Sequence, residues 1–269
     1  MASMADSLQD IRVLDELGDM NTIIHKINPL SKLIVTLFYL LTVLSFNKYA
    51  TSAILPLVLY PVLLISLANL PVLSILKRVL IVIPLIIGIS LFNPILDQRP
   101  LLSLGHIIIT YGWISFTSIL LKSILTIIAS LILIAITGMT NLSIALRMLK
   151  IPKIVVLQLL LTYRYIEVLM EEVILITTAY ALRAPQTKGI QIKDLGPLLG
   201  QLLLRTIERG QSVYYAMCCR GFIGEYHSGN KFKLANKDIT YILLWGLYFL
   251  FVRHINISRL LGIILTGAQ

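Results

Sequence analysis

The chain has 269 residues, of which 57% are hydrophobic and only 13% charged, with a mean hydropathy of +0.88. Soluble domains carry about 25% charged residues, so a water-soluble fold is excluded and an integral membrane protein remains. The net charge of +10 and pI near 9.6 do not point to nucleic acid: no basic cluster is interleaved with aromatics, and a positive-inside bias explains cations placed between apolar spans.

Met1 to Asn21 holds Asp6, Asp10, Asp15, Glu16 and Asp19 against Arg12 alone. It lacks the basic stretch and apolar run of a cleavable signal, so the first apolar span is expected to stay in the membrane. Leu8, Ile11, Val13, Leu14 and Leu17 alternate with the acids and predict a short amphipathic helix lying on the membrane or on a partner. Asp6 with Asp10, and Asp15 with Asp19, have the i,i+4 spacing that carboxylate ligation of a metal uses. A solvated acidic helix face accounts for the same spacing. The run from His25 to Lys32, with Pro29 inside it, reads as a Pro-initiated approach to the bilayer.

A spanning helix needs about 20 mostly apolar residues. Four candidates follow: Leu30 to Phe46, Thr51 to Leu70, Val79 to Leu96, and Trp113 to Thr137. Pro56, Pro61 and Pro84 lie inside spans, where they are expected to kink the helix and free carbonyls that packing must satisfy. Arg12, Lys26, Lys32, Lys77 and Arg78 flank one side, and Lys48 and Arg99 the other, which places the N-terminus in the cytoplasm. Lys122 falls inside the fourth span; bonding of carbonyls at a helix interface explains it more simply than a relay role. Ile239 to Val252 is a fifth span, and Ile255 to Leu265 a candidate sixth. The predicted fold is all-α: a polytopic helical membrane protein of about five spans with amphipathic cytoplasmic helices. Its divisions are residues 1–139, an N-terminal segment and four spans; 140–237, a cytoplasmic helical module; and 238–269, the C-terminal span or spans.

Within that module, Asn141 to Lys150 is a short amphipathic helix stopped at Pro152. The helix from Pro152 to Arg183 is mostly apolar, with Lys153, Arg164, Glu167, Glu171 and Thr178 on one side at 100° per residue; Arg164 and Glu167 have pairing distance at i,i+3. Pro185 is expected to end it. The next helix, Leu195 to Arg220, sets Gln201, Arg205, Glu208, Arg209, Ser212, Ala216, Cys219 and Arg220 on one face and Leu199, Leu203, Ile207, Tyr214 and Cys218 on the other. Each helix thus ends in an arginine beside small residues: Ala181-Leu182-Arg183-Ala184 and Ala216-Met217-Cys218-Cys219-Arg220-Gly221. A guanidinium suits carboxylates and helix C-terminal carbonyls of a partner. Taken singly, each arginine serves as well to neutralise its own helix dipole. The repetition of the pattern favours paired docking points.

These same residues carry a resemblance. Tyr163-Arg164-Tyr165-Ile166 with Glu171-Glu172, then Ala181-Leu182-Arg183, then Glu208-Arg209 and the run from Tyr215 to Tyr226, resemble the transmembrane T component of energy-coupling factor transporters, most like the CbiQ branch that serves cobalt. The likeness extends from His25 to Tyr226. It implies a non-catalytic scaffold in a bacterial or archaeal cytoplasmic membrane, part of an importer for a divalent transition metal, cobalt or nickel. It further implies that Arg183 and Arg220, with Ala181, Ala216 and Gly221, dock two ATPase subunits. Arg164, Glu167, Glu171, Arg205 and Arg209 then belong to the coupling helices, whose apolar surfaces hold a small substrate-binding membrane subunit. The family's first motif has Gly or Ser after the arginine, whereas Ala184 and Pro185 follow Arg183 here.

No cofactor is expected on this chain. His25, His106, His227 and His254 are scattered, and adjacent Cys218 and Cys219 point about 100° apart on a helix, so no metal site is expected. The two cysteines read as reduced, small helix-packing residues. No phosphate-loop sequence occurs, so ATP and Mg²⁺ are expected on the partner ATPases. The competing reading is a polytopic enzyme of lipid or prenyl transfer using the N-terminal aspartates, but no second aspartate cluster accompanies them.

Overall fold

The computed structural model describes residues 17–18, 20, 22–49, 51–96, 100–104, 107–184, 189–224 and 235–254. They fall into two compact units, residues 17–138 with 235–254, and residues 139–224. The acids Asp6, Asp10, Asp15 and Asp19 lie outside the described residues, as do His106, Pro185, His227 and the candidate sixth span.

In the first unit the Asn28 side chain accepts the Leu30 N–H at 3.0 Å and Pro29 occupies the first turn, which starts α1 (Pro29–Ser45). Lys32, Val35, Thr36, Tyr39 and Val43 recur at helical spacing and are buried, whereas Leu37, Phe38, Leu41 and Leu44 face outward. The second expected span is broken into α2 (Thr51–Ile54), a 3₁₀ turn (Leu55–Val58) and α3 (Leu59–Ala68). Pro56 and Pro61 are the cause. Pro61 has no N–H to offer the Leu57 carbonyl, and the Tyr39 hydroxyl donates to it at 3.2 Å; the Tyr248 hydroxyl donates to the Pro56 carbonyl at 2.7 Å. At Leu57 a tyrosine from another helix therefore stands in for the N–H that Pro61 lacks, and at Pro56 a second tyrosine adds a bond to a carbonyl that also accepts the Leu59 N–H.

Helix α4 (Val72–Ser90) starts well before the expected Val79, so Lys77 and Arg78 lie within it rather than in a loop. After α5 (Phe92–Leu96) comes an unexpected antiparallel hairpin, β1 (Pro100–Leu104) with β2 (Ile107–Thr110). Two apolar runs of four or five residues are too short for a stable helix and suit a strand pair. The 27-residue α6 (Tyr111–Thr137) packs against all of α1 to α5. Buried Ser115, Ser118, Ala129 and Ala135 let those helices approach closely, as in membrane bundles. Helix α10 (Asn236–His254) lies against α1 and adds Trp245 and Phe249 to a buried cluster with Tyr39 and Tyr60; the two tyrosine rings stack at 4.5 Å.

Thr51–Ala68, Val72–Ile95 and Tyr111–Thr137 are long and apolar enough to cross a membrane, and Pro29–Ser45 is apolar at 17 residues. These match the four spans expected before the central stretch; the residues of the expected fifth, Ile239 to Val252, lie within α10, which is not one of these apolar helices. The molecule is a multi-pass helical membrane protein.

Charged groups inside this unit are partnered. Lys32, 2% exposed, is no loop cation: its ammonium donates to the Ile136 carbonyl at 2.8 Å and to the His25 carbonyl at 3.2 Å, and Asp238 supplies its counter-charge. Asp238 accepts the Asn28 N–H and the Ala235 N–H, both at 2.8 Å. Lys122 donates to the Phe46 carbonyl at 2.5 Å, the carbonyl-bonding role expected of it. His25 Nε2 donates to the Leu17 carbonyl at 2.9 Å, so the neutral ring accepts the Thr22 hydroxyl at Nδ1, 2.6 Å away. Burial, and then the nearby Lys32 charge, hold its pKa below the usual value.

In the second unit α7 (Met139–Met148) packs on α8 (Lys153–Arg183), followed by α9 (Ile192–Cys219). Lys150, at φ 63, closes α7: its N–H bonds the Arg147 carbonyl at 3.0 Å and that of Ile151 the Leu146 carbonyl at 3.3 Å.

Candidate partner-docking surface

Helices α8 and α9 are joined by residues 184–191 and tied by two polar contacts. The Tyr180 hydroxyl donates to Asp194 Oδ2 at 2.6 Å, and the Arg205 guanidinium pairs with the Glu172 carboxylate. The contacts step backward along α8 and forward along α9, so α9 folds back on α8 over this stretch. Asp194 also sits in the first turn of α9, where a carboxylate is favoured by the helix dipole. Helix α9 begins one turn earlier than expected, at Ile192, and carries Pro197 inside it.

The two arginine ends are capped differently. Arg183 is the last residue of α8, and the cap residue Ala184 (φ −126, ψ 63) bonds back to the Tyr180 carbonyl at 3.0 Å. Arg220 is itself the cap residue of α9. Gly221, at φ +80, turns the chain so that its N–H meets the Cys218 carbonyl and that of Phe222 the Met217 carbonyl, both at 3.0 Å. This double bond pattern is a Schellman cap, and the positive φ is why glycine follows the arginine. Both guanidinium-bearing residues are exposed, as are Ala181, Ala216 and Gly221. Tyr180 holds the Arg183 end beside the start of α9, so the rest of that helix, at 1.5 Å per residue, separates the arginines by about 40 Å.

Helix α9 spans 28 residues, and none is buried within the described residues. Leu198, Leu202, Thr206, Val213 and Met217 are half-covered, whereas the adjacent stripe foreseen as apolar is open: Leu199 is 60% exposed, Leu203 60%, Ile207 49% and Tyr214 55%. An amphipathic helix with an uncovered apolar stripe is built to meet something further. On α8 only Val156 and Ile176 are buried. Arg164 and Glu171 are exposed and Glu167 half-buried; on α9, Arg205 and Arg209 are exposed. Cys218 and Cys219 are free thiols, and both are exposed rather than packed. An apolar groove of about 500 Å³ between α7 and α8 is lined by Met139, Ile154, Val155, Leu159 and Ile166, among others.

Sequence reasoning passed over Tyr180 and Asp194 as ties, although an acid in a first turn was a visible signal. Glu172 appeared only as part of the Glu171-Glu172 pair. Among the described residues no group of three or more His, Cys, Asp or Glu side chains forms a metal site.

Comparison with known proteins gives a consistent answer. The family model described as "CbiQ: Cobalt transport protein" matches residues 20–230. The chain is 30% identical over 215 residues to an uncharacterized protein, MJ1571, of Methanocaldococcus jannaschii, covering 76% of this chain and 70% of that one. It is 26% identical over 252 residues to the energy-coupling factor transporter transmembrane protein EcfT of Streptococcus equi subsp. equi, covering 83% and 89% respectively.

Proposed function

The chain belongs to the CbiQ cobalt transport protein family, and from that premise we propose that it is the scaffold that passes ATP-driven motion from two ATPase subunits to a substrate-binding membrane subunit. The transported ion is a divalent transition metal, cobalt first and nickel second. The N-terminus is cytoplasmic, and residues 140–237 form the cytoplasmic coupling module. This chain binds no nucleotide or metal of its own; ATP and Mg²⁺ reside on the ATPases.

One observation supports the reading most strongly: two long helices end in exposed arginines about 40 Å apart, and one of them buries none of its described residues. That spacing suits two separate subunits better than two contacts within one small groove. Arg183 and Arg220 each enter one ATPase, and the open α9 stripe of Leu199, Leu203, Ile207 and Tyr214 receives the substrate-binding subunit. When the ATPases close, the two anchored helix ends move relative to each other. Because Tyr180–Asp194 and Arg205–Glu172 tie α8 to α9, the apolar stripe moves with them.

The test is purification of the tagged chain in mild detergent and identification of what accompanies it. An ATPase together with a small membrane protein supports the assignment; a chain that hydrolyses ATP alone, or that turns over lipid alone, overturns it.

A further inference from the structure

Helices α1 and α10 begin side by side, and between their N-terminal ends lies a recess of about 750 Å³. Lys26 and Lys237 stand exposed on its wall. Asn28 also lines it, 3% exposed, with its Oδ1 committed to the Leu30 N–H and its Nδ2 without an acceptor among the described residues. A buried amide that has donors left over is costly unless something accepts from it. Below the lysines the wall turns apolar: Ile23, Ile27 and Leu244, the last about 12 Å along α10 from its first residue. Among the described residues the one acid on the wall is Asp238, which already accepts the Asn28 and Ala235 N–H groups and lies near the Lys32 charge. The local balance is therefore positive, and two helix N-termini add to it.

We propose that this recess seats one anionic phospholipid. Its phosphate pairs with Lys26 and Lys237 at the mouth of the recess, and its acyl chain runs down Ile27 and Leu244. Three features select a lipid over a free phosphate. The cations sit at the ends of two membrane helices, which is headgroup level. The apolar wall continues from them toward the hydrocarbon. Ile23 is 79% and Leu244 61% exposed, so both have surface left for a chain to cover. The bound headgroup would clamp the start of α1 to the start of α10, next to the buried Lys32–Asp238 pair.

Native mass spectrometry of the full chain in mild detergent tests this, with phosphatidylglycerol, phosphatidylcholine or glycerol 3-phosphate added. The expected result is retention of one phosphatidylglycerol in preference to phosphatidylcholine, weakened about tenfold or more in the Lys26→Gln/Lys237→Gln variant. Lys77→Gln, a cation elsewhere on the same unit, leaves retention unchanged. An unaltered elution volume on size exclusion shows that the double variant is folded. Equal retention of the two lipids, or undiminished phosphatidylglycerol retention by the double variant, overturns the proposal. Displacement of the lipid by glycerol 3-phosphate overturns it in favour of a soluble phosphate ligand. None of these outcomes depends on ATPase binding, so failure here is distinguishable from failure of the transport assignment.

Discussion

Lys32 and Lys122 each bond the far end of the helix that the other belongs to. Lys32, on α1, donates to the Ile136 carbonyl near the end of α6, and Lys122, on α6, donates to the Phe46 carbonyl that follows α1. Lys32 to Phe46 and Lys122 to Ile136 are stretches of equal length, so the two helices run antiparallel in fixed register. In a bilayer, where helices gain little from burying apolar surface against one another, such polar contacts set which helices pair and at what height.

Lys32 is the more deeply placed of the two, so its loss is expected to be the more costly. Lys32→Met removes two bonds to buried carbonyls and a positive charge near buried Asp238, and should cost about 2 kcal/mol or more. Lys122→Met removes one bond at a half-buried site and should cost about 1 kcal/mol. Thermal unfolding in detergent, followed by the fluorescence of buried Trp245, reads both. Equal losses would show that Asp238 does not depend on Lys32.

The proline-broken second span yields another prediction. Tyr39 and Tyr248 hydroxyls serve the Leu57 and Pro56 carbonyls, and Tyr39 is completely buried. Tyr39→Phe and Tyr248→Phe keep the aromatic packing and remove only the donors. Each removes one hydrogen bond to a backbone carbonyl in the broken span and should cost about 1 kcal/mol. Replacing Pro61 with alanine restores a backbone N–H opposite Leu57, so Tyr39→Phe should cost less in that background. The same unfolding measurement in the four variants reports the coupling.

Much of this architecture was legible from local pattern, and what was not depended on distant contacts. The helix ending at Arg220 could be read because Gly221 stands where a positive φ is needed. The expectation that a proline frees a carbonyl for packing to satisfy is met at Pro61, where the Tyr39 hydroxyl donates to the Leu57 carbonyl. Local pattern could not show Lys32 as a buried cap, because its acceptor Ile136 is 104 residues away and a lysine at the entry to a span reads as a flanking cation. The helix period of α9 was plain, yet period alone does not say which of two adjacent stripes the chain covers. Val79 seemed the start of the third span because Lys77 and Arg78 look like loop residues. They lie in the first turns of α4, where long side chains reach water from a helix end.

The two arginines should differ in how their neighbours tolerate change. Arg220→Ala and Arg183→Ala are each expected to weaken ATPase retention by about 2 kcal/mol, roughly thirtyfold, the usual cost of a central interface arginine. Gly221→Ala forces a methyl-bearing residue to φ +80 and should cost about 1 kcal/mol locally, reorienting Arg220 without removing it. Ala184, the residue after Arg183, sits at φ −126 rather than at positive φ, so Ala184→Gly should leave retention unchanged. Co-purification of ATPase with each variant, quantified against the intact chain, checks the set. Full retention by the double arginine variant would remove the docking assignment.

The last expectation concerns acid. His25 is neutral in the folded chain, since Nε2 donates to the Leu17 carbonyl and Nδ1 accepts from Thr22. Burial is the main reason its folded pKa is depressed, and the Lys32 charge is the second; backbone bonds act weakly the other way. The unfolded chain protonates this ring near its usual value of about 6.5, and the folded chain only at lower pH. Below about pH 6.5 the unfolded state therefore binds more protons, and stability is lost as pH falls toward the folded value. Above about pH 6.5 the contribution is fully present. His25→Gln should flatten this part of the profile, because an amide cannot take up the proton. Unfolding midpoints of both proteins between about pH 5 and 8 decide it: parallel curves would mean that His25 does not govern the acid limb.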